Sequence, residues 1–184
     1  MKLLADDEFR AWASGHGIQF DLSVQPASPL SYANRKPLVR EWQPPPVPSD
    51  LEGFVSTALT GASAKGPFWL YRKGGGEWYE DDDSPLSDQN RNRIVGLLGI
   101  PNDFSGAIGL EESEWRDLLL LILAFYVFGW EVGGDLQIVP SDGRCILQTS
   151  HHGPLRVQFA DEEHLRGFTK VMAEARFVLA RRPT

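Results

Sequence analysis

The chain has 184 residues, of which 42% are hydrophobic and 23% are charged, and its formal net charge at pH 7 is -7. A chain of this length and composition can bury enough apolar surface to fold alone as one domain. The acidic balance argues against general binding to nucleic acid, because phosphates repel such a surface, and it favours basic partners.

The cellular compartment is predicted from the cysteine content and from the apolar runs. A single cysteine allows no internal disulfide bond, so nothing indicates a secreted, cross-linked scaffold. The opening residues MKLLADDEFR do not form a signal peptide, and the apolar run 118–128 is shorter than the roughly 20 residues that span a bilayer. We therefore expect a cytoplasmic, bacterial-type protein that makes no membrane contact and needs no cofactor.

The first third of the chain alternates short elements with a long connection. Phe9 and Trp12 have helical spacing within residues 6–14, and a glycine follows to end that helix. Residues 18–24 alternate apolar and polar side chains, which predicts a strand. Residues 25–48 are rich in proline and predict an extended connection, after which a helix runs to about residue 59.

An aromatic hairpin and an acidic run follow. Residues 68–72 and 77–80 are separated by a lysine and three glycines, which predicts two paired strands. Aromatic side chains would then lie on both faces, so either the sheet is covered on both sides or one aromatic face is exposed for binding. The predicted partner-binding residues are Trp69, Tyr71, Trp78, Glu80, Asp81, Asp82 and Asp83.

Two helices are predicted before the last third of the chain. Ser84 and Pro85 open the first, which ends near Gly99, and residues 102–109 are predicted as a loop. The second helix is apolar on all sides over residues 118–128. A helix without a polar face is buried over most of its surface, so we expect it at the centre of the fold.

Residues 135–160 predict a three-stranded antiparallel meander. Turn sequences at 140–143 and 151–154 separate three short apolar strands. Side chains alternate along each strand, and this count places Cys145 on the buried face. A C-terminal helix follows, with an apolar stripe at helical spacing from Leu165 to Leu179.

These elements predict an α+β fold in which an antiparallel hairpin and meander sheet is packed against helices, including one nearly all-apolar central helix. Residues 1–184 are expected to form a single domain, whose main core lies in 66–184. The oligomeric state is not predicted by any of these patterns.

A histidine pair in the second turn of the meander is the most prominent candidate site of the sequence, although the same residues also suit a plain turn. Asp161 and His164 are three residues apart on the following helix and share a face, so with a turn histidine they offer three metal ligands. Cys145 would act as a nucleophile only beside a base and in an exposed position. The metal-ligand candidates are His151, His152, Asp161 and His164, and the catalytic candidates are His151, His152 and Cys145.

Two functional hypotheses follow from these patterns. The first is a non-enzymatic binding protein, of inhibitor, immunity or chaperone type, that recognises a basic protein or peptide through carboxylates and aromatic rings. The second is a small hydrolase or metal-dependent enzyme centred on the turn histidines. The first is preferred, because no metal-binding motif supports the second, and a purely structural or regulatory domain stays open.

Overall fold

The computed structural model describes residues 1–20, 30–33, 38–63, 66–72, 77–79, 86–128, 136–149 and 153–180, and leaves the side chains of 48, 86–88 and 125–128 undescribed. The strands found in these ranges are β1 (Lys2–Ala5), β2 (Ile18–Phe20), β3 (Leu30–Tyr32), β4 (Leu38–Trp42), β5 (Phe68–Arg72), β6 (Gly106–Leu110), β7 (Leu136–Pro140), β8 (Cys145–Gln148) and β9 (Leu155–Phe159). The helices found there are α1 (Asp6–Gly15), α2 (Leu51–Ala62), α3 (Leu86–Leu97), α4 (Trp115–Phe128) and α5 (Glu162–Glu174).

One antiparallel sheet organises the molecule. Its strand order is β1-β6-β5-β7-β8-β9-β4, and β2 and β3 form a separate hairpin. The predicted α+β class is therefore confirmed, and the meander consists of β7, β8 and β9 paired in sequence order. Among the strands that the structure describes, β1 and β4 stand at the two ends of the order and form the two edges of the sheet.

Helices cover one face of the sheet. The larger core combines alternate residues of the strands with apolar residues of α2, α3, α4 and α5. Phe54 of α2 and Phe168 of α5 are 0% and 1% exposed, respectively. Within α4, Leu118, Leu121 and Ile122 are fully buried, whereas Leu120 is 43% exposed. No helix in the described ranges has the length and apolar composition needed to cross a bilayer.

The opposite face of the sheet is covered by α1 and by the β2–β3 hairpin. Phe9 of α1 stacks on Tyr71 with ring centroids 5.1 Å apart, and Ile18 of β2 belongs to the same cluster. Both faces of β5 are consequently buried. This explains why the β5 sequence FWLYR is aromatic in both alternating positions: each face has an apolar layer to fill.

Strand β6 occupies the second half of the predicted loop 102–109, so that prediction is wrong for residues 106–109. Its sequence, GAIGL, contains two glycines, which are depleted in strands because they lack side chains to pack. The reason for one of them is tertiary. A Cβ at Gly109 would lie 2.5 Å from the ring of Trp69 on the neighbouring strand, so the absence of a side chain allows the tryptophan to lie flat on β6.

The predicted hairpin of residues 68–80 is also wrong. Strand β5 is flanked by β6 and β7, so neither of its edges is available to a return strand. The segment after β5 instead touches the start of β6. Glu77 forms an isolated bridge with Ser105, and the Trp78 indole Nε1 donates to the carbonyl oxygen of Gly106 at 2.9 Å.

Two strands occur within the proline-rich residues 25–48. Strand β4 pairs with β9 along its whole length, with Leu38 opposite Phe159 and Trp42 opposite Leu155. The C-terminal helix ends at Glu174, earlier than its apolar stripe predicts. The chain then turns back, so that Leu179 bridges Trp42 on the outer side of β4 instead of extending the helix.

Candidate functional site

The predicted partner-binding aromatic residues are buried. Trp69, Tyr71 and Trp78 are 8%, 0% and 1% exposed. Their rings fill the two cores and present no flat surface to a partner, which corrects the expectation of an exposed aromatic face. The acidic residues 80–83 of the same prediction lie outside the described residues.

Tyr71 has a structural partner in the first turn of α1. Its hydroxyl donates to Asp6 Oδ1 at 2.8 Å, and Asp6 Oδ2 accepts from Arg10 Nε at 2.6 Å. Burial, reinforced by the Asp6 carboxylate, raises the pKa of Tyr71, so this phenol stays protonated and donates. The Arg10 guanidinium lies 4.2 Å from the centroid of the Phe20 ring. The contacts among Tyr71, Asp6 and Arg10 hold α1 against the sheet, and the charges of Asp6 and Arg10 are paired with each other.

Exposed carboxylates gather at both ends of the β1–β6 pair. Ala5, the last residue of β1, lies opposite Gly106, and Glu77 bridges Ser105 beside it. The exposed carboxylates close to this end are those of Asp7, Glu8, Glu77 and Asp103. Lys2 lies opposite Gly109 at the other end, where β6 leads into the 3₁₀ helix Glu112–Glu114. The exposed carboxylates there are those of Glu111, Glu112 and Asp117. We call β1 together with these seven residues the acidic edge.

Asp161 and His164 form a hydrogen-bonded pair at the start of α5, as their spacing predicts. His164 Nδ1 lies 2.9 Å from Asp161 Oδ1, and its Nε2 lies 3.0 Å from Arg144 Nη1. A guanidinium can only donate, so Nε2 accepts and the ring proton is assigned to Nδ1, which donates to the carboxylate. Asp161 thereby orients the ring in the manner of a catalytic dyad, but Arg144 occupies the nitrogen that would act as base.

Of the four predicted metal ligands, the structure describes only Asp161 and His164. His151 and His152 lie outside the described residues. In the part of the chain that the structure describes, no three histidine, cysteine, aspartate or glutamate side chains are grouped so that they could hold a metal ion.

Cys145 is placed on the buried face, as the alternation of β8 predicts. It is 1% exposed and belongs to the larger core together with Leu147. Burial raises the pKa of its thiol, the opposite of what a thiolate nucleophile requires. The geometry therefore favours a packing role for this cysteine.

A row of polar side chains crosses the sheet, buried at Tyr71, Gln137 and Gln148 and half-buried at its other two members. On the face that α1 covers, cross-strand neighbours run Tyr71, Gln137, Gln148, Arg156 and Glu41. Gln137 is 0% exposed and, within the described structure, neither polar atom of its amide has a hydrogen-bond partner. The sequence signal for this row was a glutamine at the centre of an otherwise apolar strand.

The outer side of β4 borders a cleft of about 400 Å³. Its described lining residues are Val39, Arg40, Glu41, Leu179 and Ala180. Glu41 lies opposite Arg156 on β9, an arrangement that brings opposite charges together across the ladder. The described lining is thus mixed and includes none of the predicted site residues.

Removing the Asp161 carboxylate gives a prediction for stability and its pH dependence. Asp161 Oδ1 accepts the His164 backbone N–H at the start of α5, so Asp161→Ala is expected to lower the free energy of unfolding by about 1 kcal/mol at neutral pH. The hydrogen bonds from His164 lower the pKa of Asp161 in the folded state. Its stabilising contribution is therefore present above the unfolded-state pKa and is lost as the pH falls through the lower folded-state pKa.

Urea unfolding from neutral to acidic pH measures this effect. The difference in free energy of unfolding between wild type and Asp161→Ala should narrow on acidification. Asp161→Asn keeps a capping oxygen, so it should lose less stability than Asp161→Ala does. Glu162→Ala is the matched control, because Glu162 is an exposed carboxylate in the same turn. A gap that is constant with pH would contradict the role of the ionised cap.

The described residues thus contain two groups of side chains that are candidates for a function, the acidic edge and the Asp161–His164 pair. The first offers charge and an unpaired strand edge, and the second offers an oriented imidazole. Comparison of the chain with protein-family models, with curated proteins and with solved structures found no match.

Proposed function

We propose that this protein is a binding protein without catalytic activity, of inhibitor, immunity or chaperone type, and that it recognises a basic protein or peptide in a bacterial cytoplasm. The observation that supports the proposal is the acidic edge. Its seven exposed carboxylates come from α1, from the segment at Glu77, from the two flanks of β6 and from the first turn of α4. The acidic residues 80–83 come shortly after Glu77 in the sequence and add charge of the same sign.

Carboxylates that flank a strand are suited to attract a cationic partner. Such fields speed the encounter with a partner of opposite charge and disfavour partners of like charge. Among the nearby cations, Arg10 is bound to Asp6 and Arg72 donates to the Glu77 carbonyl, while Lys2 and Arg116 are exposed and are outnumbered by the seven carboxylates. The charges are exposed and act through water, so affinity should fall as salt shortens their range to about 8 Å at physiological ionic strength.

Neutralising one end of the acidic edge tests the proposal. The probe is a fluorescent, lysine-rich peptide of ten residues, and a glutamate-rich peptide of equal length is the negative control. A variant with Asp7→Asn, Glu8→Gln, Glu77→Gln and Asp103→Asn should bind the lysine-rich peptide about tenfold more weakly, as expected for losing several exposed ion pairs of a few tenths of a kcal/mol each.

A second variant with the same change of net charge separates location from total charge. Glu52→Gln, Glu162→Gln, Glu163→Gln and Glu174→Gln neutralise exposed residues of α2 and α5. This variant should bind nearly as wild type does. Equal weakening in both variants, or a wild type that binds neither peptide, would refute recognition at the acidic edge.

The alternative, a small hydrolase, is favoured by one observation, the orientation of His164 by Asp161. On that hypothesis, Arg144, whose side chain is exposed, swings away and leaves Nε2 as a general base. The test is hydrolysis of an activated ester such as p-nitrophenyl acetate by wild type, His164→Gln and the control His16→Gln. On the binding proposal the three rates are equal, and a loss confined to His164→Gln would support the enzyme.

A further inference from the structure

We infer that β1 is the strand on which the partner docks, and that an extended cationic segment adds to the sheet beside it. The inference rests on the proposed function and goes further by naming the binding mode and the backbone groups involved. In this mode, main-chain hydrogen bonds to an open strand edge supply affinity, and side chains of the added strand supply specificity.

The first argument concerns the backbone of β1. Strand β1 is at the end of the strand order, and in the described structure only β6 pairs with it. The Ala5 N–H donates to Glu8 Oε2 at 3.1 Å instead of to β6, so Ala5 directs this group away from the ladder. In an antiparallel pair, residues two apart direct their backbone groups to the same side. The N–H and C=O of Leu3 therefore face the open edge.

The second argument concerns the side chains at this edge. Leu3 packs against the larger core and Leu4 against the smaller one, and both are only partly buried. An added strand would therefore find apolar contacts on both faces of the sheet. Lys2, the cation within β1, has its Nζ 5.7 Å from the centroid of the Trp69 ring.

The third argument is the charge around β1, which determines the kind of segment that can bind there. The four residues of β1 span roughly 10 Å from the first Cα to the last, and exposed carboxylates stand at both ends of that length. A segment of five or six residues with lysine or arginine near each end would reach both groups. An acidic segment would be repelled at both ends, so we assign the edge to a cationic one.

The other edge of the sheet provides a contrast. The outer side of β4 is already partly paired by the chain itself, because the Gln43 N–H donates to Val178 and the Ala180 N–H donates to Glu41. Arg40 is exposed beside it and donates to the carbonyl of Val39 at 2.9 Å. This edge is partly occupied by the chain itself, so it offers an added strand fewer free backbone groups than β1 does.

Proline substitution at each edge tests the inference. Proline removes one N–H and is tolerated on edge strands when that group faces outward. Leu3→Pro removes the outward-facing N–H of β1. Val39→Pro removes the equivalent N–H of β4, because Val39 is two residues from Glu41, whose carbonyl faces the outer side. The probe is an end-blocked peptide of alternating lysine and valine, and a peptide of alternating glutamate and valine is its negative control.

We expect Leu3→Pro to weaken binding of the lysine–valine peptide at least tenfold and Val39→Pro to leave it within twofold, with both variants folded by circular dichroism. Unchanged binding by folded Leu3→Pro would overturn the inference. In that case the four-carboxylate variant decides the proposed function separately. If the four-carboxylate variant binds the peptide more weakly than wild type, the acidic surface binds the partner without strand addition. If that variant binds as wild type does, both proposals fail.

Amide hydrogen exchange of the wild-type protein gives a test that does not depend on the folding of a variant. Saturating peptide should slow exchange at Leu3 at least tenfold and leave exchange at Val39 unchanged. Equal exchange at Leu3 with and without bound peptide would overturn strand addition. Protection at Val39 alone would do the same, because it would place the peptide on the opposite edge.

Discussion

Substitution of Gly106 by alanine is expected to lower the free energy of unfolding by about 3 kcal/mol, the combined effect of backbone strain and steric overlap. Gly106 has a φ of 144°, a conformation that side chains disfavour, and a Cβ at this position would overlap the carbonyl oxygen of Leu4 on β1. The alanine can be accommodated only if β1 moves away from β6. For a domain of this size, the melting temperature should fall by about 6–12 °C.

The same substitution in α2 is the control. Gly53 is exposed, and a Cβ there would meet no atom within 4 Å. Gly53→Ala should therefore stabilise the protein by about 0.5–1 kcal/mol through helix propensity. Urea unfolding gives both values, and amide exchange should show lost protection in β1 for Gly106→Ala alone. A Gly106→Ala variant as stable as wild type would contradict the close approach of the two strands.

Replacing Gln137 by methionine is expected to raise the free energy of unfolding by about 2 kcal/mol, because an unpartnered buried amide costs about 1–3 kcal/mol. Gln137 is fully buried, and its amide nitrogen and oxygen lack hydrogen-bond partners among the described residues. Methionine has nearly the same length and shape, so it fills the space without the desolvation cost.

Gln19→Met is the matched control, because Gln19 is an exposed glutamine on strand β2, and its stability should stay near that of wild type. Chemical unfolding of the three proteins measures the difference. A destabilised Gln137→Met would contradict the prediction and would mean that the amide is hydrogen-bonded in solution. The result therefore also decides whether the buried amides of the polar row lack hydrogen bonds or form a hydrogen-bonded network.

The meander was predictable because its information is local. Strand β9 alternates in hydrophobicity, β7 and β8 are short and mostly apolar, and turn residues separate the three strands at short intervals. The pairing of Asp161 with His164 was predictable for the same reason, since residues three apart on a helix share a face. In both cases the neighbours in space are neighbours in the chain.

The strands that were missed depend on distant partners. The sequence of β6 is poor in strand-forming residues. A glycine is required at position 109 only because the Trp69 ring of the neighbouring strand lies against it. Strand β4 follows a proline, and its partner β9 is far along the chain. No local pattern could reveal that β5 lies between β6 and β7, and the expectation that its aromatic residues are exposed was wrong for this reason.

The strand order also fixes when the sheet can close during synthesis. Strands β1 and β4 leave the ribosome before the strands that pair with them, because Lys2 lies opposite Gly109 and Leu38 lies opposite Phe159. The meander strands, in contrast, find their partners as soon as they emerge. Each of β1 and β4 therefore stays without its partner while about a hundred further residues are synthesised, and only β4 has to wait for the meander. A chain halted before Phe159 would keep β4 without its full partner, exposed to the contacts that promote aggregation.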